Sequence, residues 1–192
     1  MKDQTEELIK NTAKRMFFTE GKFNATTQEI ADEAKVNRTL INYYFRSRNN
    51  LFENVFEEAM KQEHEKSEAI LHSDMTFKEK IENYIDYSLE VALEYPYLEI
   101  YLVTQINQGC AYKDHEQMDK IMKVLTKELN CEIEKGNISP IEPFQFIMNL
   151  VSLVTFPICM RPLIQESFKL DDKQYVEIIS QRKQIIINTL FN

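Results

Sequence analysis

The sequence predicts an all-α fold. Three glycines and five prolines in 192 residues leave little of the turn chemistry that sheets require. Helix-favouring Leu, Lys, Glu, Gln and Met are plentiful, and apolar residues recur at i, i+3 and i+4 in segment after segment.

A first helix is expected from about Asp3 to Thr19, because Leu8, Ile9, Thr12, Ala13, Met16 and Phe17 recur at helical spacing and Gly21 supplies a stop. In ATTQEIADEAK, Thr26 and Glu29 form a capping box that opens a second helix of about eight residues, with Ile30, Ala31 and Ala34 along its apolar edge. After a break near Lys35 and Val36, Asn37 caps a third short helix ending around Phe45. Ser47 caps a fourth that meets no breaker before His72, so at about 1.5 Å per residue it spans about 38 Å. Its first half packs through Leu51, Phe52, Val55, Phe56 and Met60; its second half is largely charged, as in a bridge between two parts. Thr76 and Glu79 repeat the capping box for a fifth helix, ended at Tyr95 by the constraint Pro96 places on its predecessor. Pro96 can itself begin the next. Further helices are expected from about His115 to Lys135, closed by Gly136 and Asn137, from about Pro143 to Met160, and from Asp171 to Phe191. Pro157 frees the carbonyl of Leu153 and should kink or end its helix.

The net charge of -8 is unevenly spread: residues 1–50 hold nine Lys/Arg against seven Asp/Glu, a net +2, and the remainder is at -10. Three cysteines, Cys110, Cys131 and Cys159, lie far from any CxxC spacing and are expected to be buried thiols in a reducing cytosol. His64, His72 and His115 show no metal-ligand spacing and are expected at the surface, so neither metal nor cofactor is called for. The N-terminus is charged throughout and no run reaches the roughly 18 apolar residues of a membrane span, which points to a soluble cytoplasmic protein with no membrane partner. Catalysis finds no support: three glycines exclude a Gly-rich phosphate loop, and neither G-x-S-x-G nor H-E-x-x-H occurs.

The stretch VNRTLINYYFRSRNNLF sets Tyr43, Tyr44 and Phe45 between arginines. Two short helices joined by a tight turn form a helix-turn-helix, whose second helix enters the major groove of DNA. At about 100° per residue, Ile41 and Phe45 fall on one side of that helix and Thr39 and Tyr43 on the other, flanked by Leu40 and Asn42. Water gains little from an exposed Leu40 and Tyr43, whereas a groove offers thymine methyls and base edges. Arg38, Arg46 and Arg48 bracket this face and would neutralise phosphates, and the amides at the starts of the second and fourth helices can bind others. The expected DNA-binding residues are Thr26, Thr27, Asn37, Arg38, Thr39, Leu40, Asn42, Tyr43, Tyr44 and Arg48. A helical interaction module that binds no DNA is the rival reading, favoured by the acidic bulk; the outward Leu40 and Tyr43 between arginines speak against it.

Ile9, Ala13, Phe17, Gly21, Thr26, Thr27, Ile30, Ala31, Ala34, Val36, Asn37, Tyr44, Phe45, Ser47, Arg48 and Leu51 together resemble the N-terminal signature of the TetR family of bacterial transcriptional regulators, over about the first 55 residues. Lys35 departs from it where glycine is usual, at a cost of roughly 1 kcal/mol if the turn is left-handed. Asn42 stands where many members carry tyrosine, and Arg48 replaces the commoner lysine. The resemblance implies a DNA-binding domain over residues 1–50 and a helical effector-binding and dimerisation domain over 51–192. It further implies a ligand-responsive repressor that binds a palindromic operator as a homodimer and is released by a small, mainly apolar effector. Compatible with it, Tyr84, Tyr87, Tyr95, Tyr97 and Tyr101 place hydroxyls on apolar helices; Tyr84, Tyr87, Tyr101 and Phe156 are the candidate pocket residues, and Glu90, Glu94 and Glu99 lie nearby in sequence. The candidate dimer interface comprises Phe144, Ile147, Val151 and Val154 with Ile178, Ile179, Ile186 and Leu190, a four-helix arrangement once paired with its symmetry copy.

Overall fold

The computed structural model describes residues 2–107 and 115–191, and among them every regular element is helical, as the sequence predicts. Two compact units emerge, Met1–Lys66 with Tyr95–Leu98, and Ser67–Glu94 with Glu99–Asn192.

In the first unit, α1 (Lys2–Lys14) runs into a π-helical turn (Arg15–Thr19) and is followed by α2 (Thr27–Ala34), α3 (Arg38–Phe45) and the start of α4 (Arg48–Leu71). The core gathers Ile9, Ala13, Phe17 and Phe18 from the first helix, Ile30 and Ala31 from α2, Ile41 from α3 and Leu51 from α4, all fully buried. Each large side chain removed from water there contributes about 1.5–3 kcal/mol. Phe52 closes the cluster, its ring centroid 4.4 Å from that of Phe17 and 5.7 Å from that of Phe18. The expected boundary at residue 50 therefore falls inside this unit, because Leu51, Phe52 and Val55 belong to its core.

The local signals hold. Thr26 and Glu29 cap each other reciprocally at the start of α2, and Lys35 ends that helix at φ 55, ψ 40, the left-handed geometry that the missing glycine implied. Asn37 accepts from the amide of Thr39 at 2.9 Å to start α3, and the hydroxyl of Ser47 accepts from Asn50 at 3.1 Å beneath α4.

The second unit contains α5 (Phe77–Glu94), most of α6 (Leu98–Asn107), α7 (His115–Glu134), α8 (Pro143–Cys159), α9 (Arg161–Phe168), α10 (Asp172–Ser180) and α11 (Arg182–Leu190). Phe146, Leu150, Val154 and Ile158 of α8 run through a core completed by Phe77, Ile81 and Ile85, by Leu125 and Leu129, and by Tyr175, Ile179, Ile186 and Leu190. Lys80 and Glu128 form a largely buried ion pair at 2.7 Å between α5 and α7. Pro157 frees the Leu153 carbonyl as expected, and the carbonyl finds a donor: Nη2 of Arg182 reaches it at 2.8 Å. The hydroxyl of Tyr175 donates to the carbonyl of Pro157 itself at 2.9 Å.

Four expectations are corrected. Pro96 lies in a turn closed by Leu98 N–H to Tyr95 C=O at 3.0 Å, so α6 begins two residues later. α9, bent 63° from α8, has no counterpart in the sequence reading. The single helix expected over Asp171–Phe191 is two, broken at Gln181, where Arg182 turns in toward α8. Cys131 is exposed and Cys159 half-buried rather than both buried, while Cys110 and the side chain of His115 lie outside the described residues. Among the described residues no single helix is long and apolar enough to cross a membrane.

Candidate nucleic-acid interface

α3 is amphipathic in the sense its wheel predicts. Ile41 and Phe45 are buried beneath it, whereas Tyr43 is 65 % exposed and Arg38, Thr39 and Asn42 are exposed with it. Leu40 and Tyr44 are half-buried on its two flanks. The Tyr43 and Tyr44 rings meet edge to face with centroids 5.1 Å apart, which limits the rotation of Tyr43 without covering it. Thr39 donates its hydroxyl to Oδ1 of Asn37 at 2.7 Å, so the cap also fixes this side chain. Arg38 donates Nε to the hydroxyl of Thr27 at 3.0 Å, joining the first turn of α3 to that of α2. A face so built offers hydroxyls, an amide, an aromatic ring and a guanidinium on a rigid helix, the donors and acceptors that base edges and phosphates recognise.

Of the expected contacts, Thr26 and Asn37 serve as the caps they were expected to be, and Arg48 is placed differently. The backbone N–H and hydroxyl of Thr26 both point at the Glu29 carboxylate, at 2.7 and 2.8 Å, and these bonds hold the carboxyl below its ordinary range. A phosphate approaching that end of α2 would meet a fixed negative charge, which leaves Thr26 as a cap. Asn37 is likewise engaged as a cap. Arg48 turns inward: its Nε donates to the carbonyl of Ala25 at 3.1 Å and its guanidinium lies 5.4 Å from the ring centres of both Phe17 and Phe52. Its Nη2 is buried without a partner. Ring faces attract the cation and the carbonyl fixes its direction, so the core of this unit outcompetes solvent for the side chain. Arg46, exposed at the end of α3 with φ 64, keeps the outward position that Arg48 gives up.

Residues 9–55, which comprise this interface and the helices that carry it, match the family model described as bacterial regulatory proteins, tetR family. The match spans 47 of the 192 residues, and over that stretch the chain is similar to the tetR family. The likeness in fold extends over the whole chain. A TetR family transcription regulator from Marinobacter aquaeolei VT8 is 16 % identical with a TM-score of 0.59, covering 99 % of this chain and 97 % of its own. HlyIIR, a hemolysin II transcriptional regulator, is 22 % identical at 0.59, covering 100 % and 99 %. AibR, solved in complex with isovaleryl coenzyme A and operator DNA, is 13 % identical at 0.68, covering 97 % and 98 %. No curated protein sequence matches the chain.

The residues expected to line an effector pocket do not all face inward. Tyr84 packs half-buried against the core of the second unit, and Tyr87 and Tyr101 are half-buried. Phe156 is 61 % exposed on the outside of α8, which removes it from the lining. Tyr95 and Tyr97 belong to the first unit instead. Of the nearby carboxylates Glu90 and Glu94 are exposed, whereas burial raises the carboxyl of Glu99 above its ordinary range. Burial and the charge of Glu99 together push the thiol of Cys159 up.

The expected dimer face divides. Val154, Ile179, Ile186 and Leu190 are buried within the second unit and form its core, so they have no surface to give a partner. Phe144, Val151 and Ile178 are exposed, Ile147 is half-buried, and Met148 and Ile185, which lie on the same apolar stripes, are exposed as well. Among the described residues no group of three or more His, Cys, Asp or Glu side chains is arranged to hold a metal ion.

Proposed function

We propose that the chain is a repressor that binds a palindromic operator as a homodimer and is released by a small, mainly apolar effector. The observation that carries the reading is the exposure of Tyr43 on a helix whose opposite face is buried, beside Thr39, Asn42 and Arg38. In it Thr39, Leu40, Asn42, Tyr43 and Tyr44 meet base edges and methyl groups, while Thr27, Arg38 and Arg46 meet phosphates. Two copies of α3 would sit about 34–36 Å apart to enter successive major grooves.

Phe144, Met148, Val151, Ile178 and Ile185 supply the exposed apolar surface for dimerisation, since side chains of this size at a helix surface gain most by being covered. The effector site lies in the second unit near Tyr84, Tyr87 and Tyr101, and the desolvated carboxyl of Glu99 favours an effector carrying a hydrogen-bond donor or a positive charge. AibR, bound to both a coenzyme A thioester and operator DNA, is a precedent for both partners on this fold. An effector releases DNA only by binding the DNA-incompetent state better, by about 1–3 kcal/mol in ordinary cases. A tilt of α4 would act by changing the spacing of the recognition helices.

The test is substitution of the exposed face. Tyr43→Ala or Thr39→Ala should remove discrimination between operator and random duplex while thermal unfolding stays nearly unchanged. A large loss of stability instead would mark these side chains as packing residues and defeat the reading.

A further inference from the structure

The segment Tyr95–Leu98 belongs to the first unit, although the residues on either side of it, through Glu94 and from Glu99, belong to the second. Four consecutive residues are seated there. The Tyr97 N–H donates to the carbonyl of Phe18 at 3.1 Å, at the end of the π-helical turn, where a helix runs out of its own donors. The Tyr97 ring lies on Gly21, so closely that a Cβ built there would stand 3.0 Å from the ring. It also meets Phe23 edge to face at 6.0 Å. The ammonium of Lys14 sits 4.2 Å from the centre of the Tyr95 ring, and Pro96 and Leu98 are buried. Gly21, at φ +68, is the one residue type that both adopts this backbone and leaves room for the ring.

The loop gripped in this way, from Glu20 to Ala25, leads directly into the Thr26 cap of α2. Its far end is held by Arg48 through the Ala25 carbonyl. With one end under Tyr97 and the other on the first residue of α4, the direction in which α2 starts is fixed from both sides, and the Thr27–Arg38 bond passes that direction on to α3. We propose that Tyr97 is a positioning residue for DNA binding: seated on Gly21, its ring sets the loop that aims α2 and, through it, the recognition helix. This rests on the DNA-binding reading above.

The test uses the full-length protein and the duplex recovered from it by selection among genomic fragments. Tyr97→Phe keeps the ring and should bind that duplex within about twofold of the parent; Tyr97→Ala should bind it about fivefold or more weakly, a coupling of ordinary size, with helical content retained. Hydrogen exchange of the parent should show the amides of residues 20–25 and 97 slowed by the duplex. Equal binding by parent and Tyr97→Ala would overturn the proposal, as would an equal loss in Tyr97→Phe. If Tyr97→Ala does not fold, the exchange measurement decides: amides indifferent to the duplex overturn the proposal. A parent that binds no duplex would instead overturn the regulator reading, an outcome distinct from these.

Discussion

Arg48→Ala separates a phosphate contact from a packing contact. If Arg48 neutralised a phosphate, its loss would weaken binding to every sequence and lower the salt slope by about one, with little effect on stability. The structure puts it elsewhere. Alanine removes a charged donor from the Ala25 carbonyl, worth about 1.5–3 kcal/mol. It also removes the guanidinium from beside the Phe17 and Phe52 rings, worth about 0.5–2 kcal/mol in a partly desolvated setting. Against these, the buried and unpartnered Nη2 disappears, which returns about 1 kcal/mol or more. The net expectation is a destabilisation of about 2 kcal/mol, read as a lower urea midpoint at unchanged slope, or as a fall in Tm of about 4–8 °C. The assay pairs urea unfolding with a salt titration of DNA affinity. A salt slope lowered by one with unaltered stability would refute the inward role.

The carboxyl of Glu29 is held below its ordinary range by the Thr26 amide and hydroxyl, so its contribution is present above the unfolded value and is lost as pH falls through the lower folded one. Tm measured against pH should therefore fall more steeply below about pH 4.5 in the parent than in Glu29→Gln. Lys35→Gly should raise stability by about 0.5 kcal/mol, since the left-handed residue costs about 1 kcal/mol and glycine's extra freedom in the unfolded chain takes back part of the gain. A lower urea midpoint would contradict that. Phe144→Asp, at an exposed apolar position of α8, should shift a homodimer toward monomer in sedimentation without lowering the helical signal; an unaltered dimer would place the interface elsewhere.

What could be read from the sequence is what neighbouring residues decide among themselves. The Thr26–Glu29 and Thr76–Glu79 boxes, the left-handed Lys35 and the outward Tyr43 depend on spacings of a few residues, and each stands as expected. Long-range competition decided the rest. The periodicity around Arg48 says nothing of Phe17, which lies 31 residues before it in the chain and draws it inward. α8 is apolar on nearly every side, so its wheel cannot tell core from interface; Val154 became core because Ile179 and Ile186 pack with it. The carbonyl freed by Pro157 was foreseen, but its partner Arg182 comes from another helix, at the break in Asp171–Phe191 that no breaker residue marks. Tyr97 read as one tyrosine among several, and only the fold brings it to Gly21.

The central claim is that α3 turns Thr39 and Tyr43 toward a DNA duplex. Selection of bound fragments from a genomic DNA library, followed by footprinting of the winner, tests it most directly. The expected result is a two-fold symmetric footprint whose protected centres lie about one helical turn apart. Failure to retain any fragment in preference to random duplex at low ionic strength, or a footprint without symmetry, would contradict it.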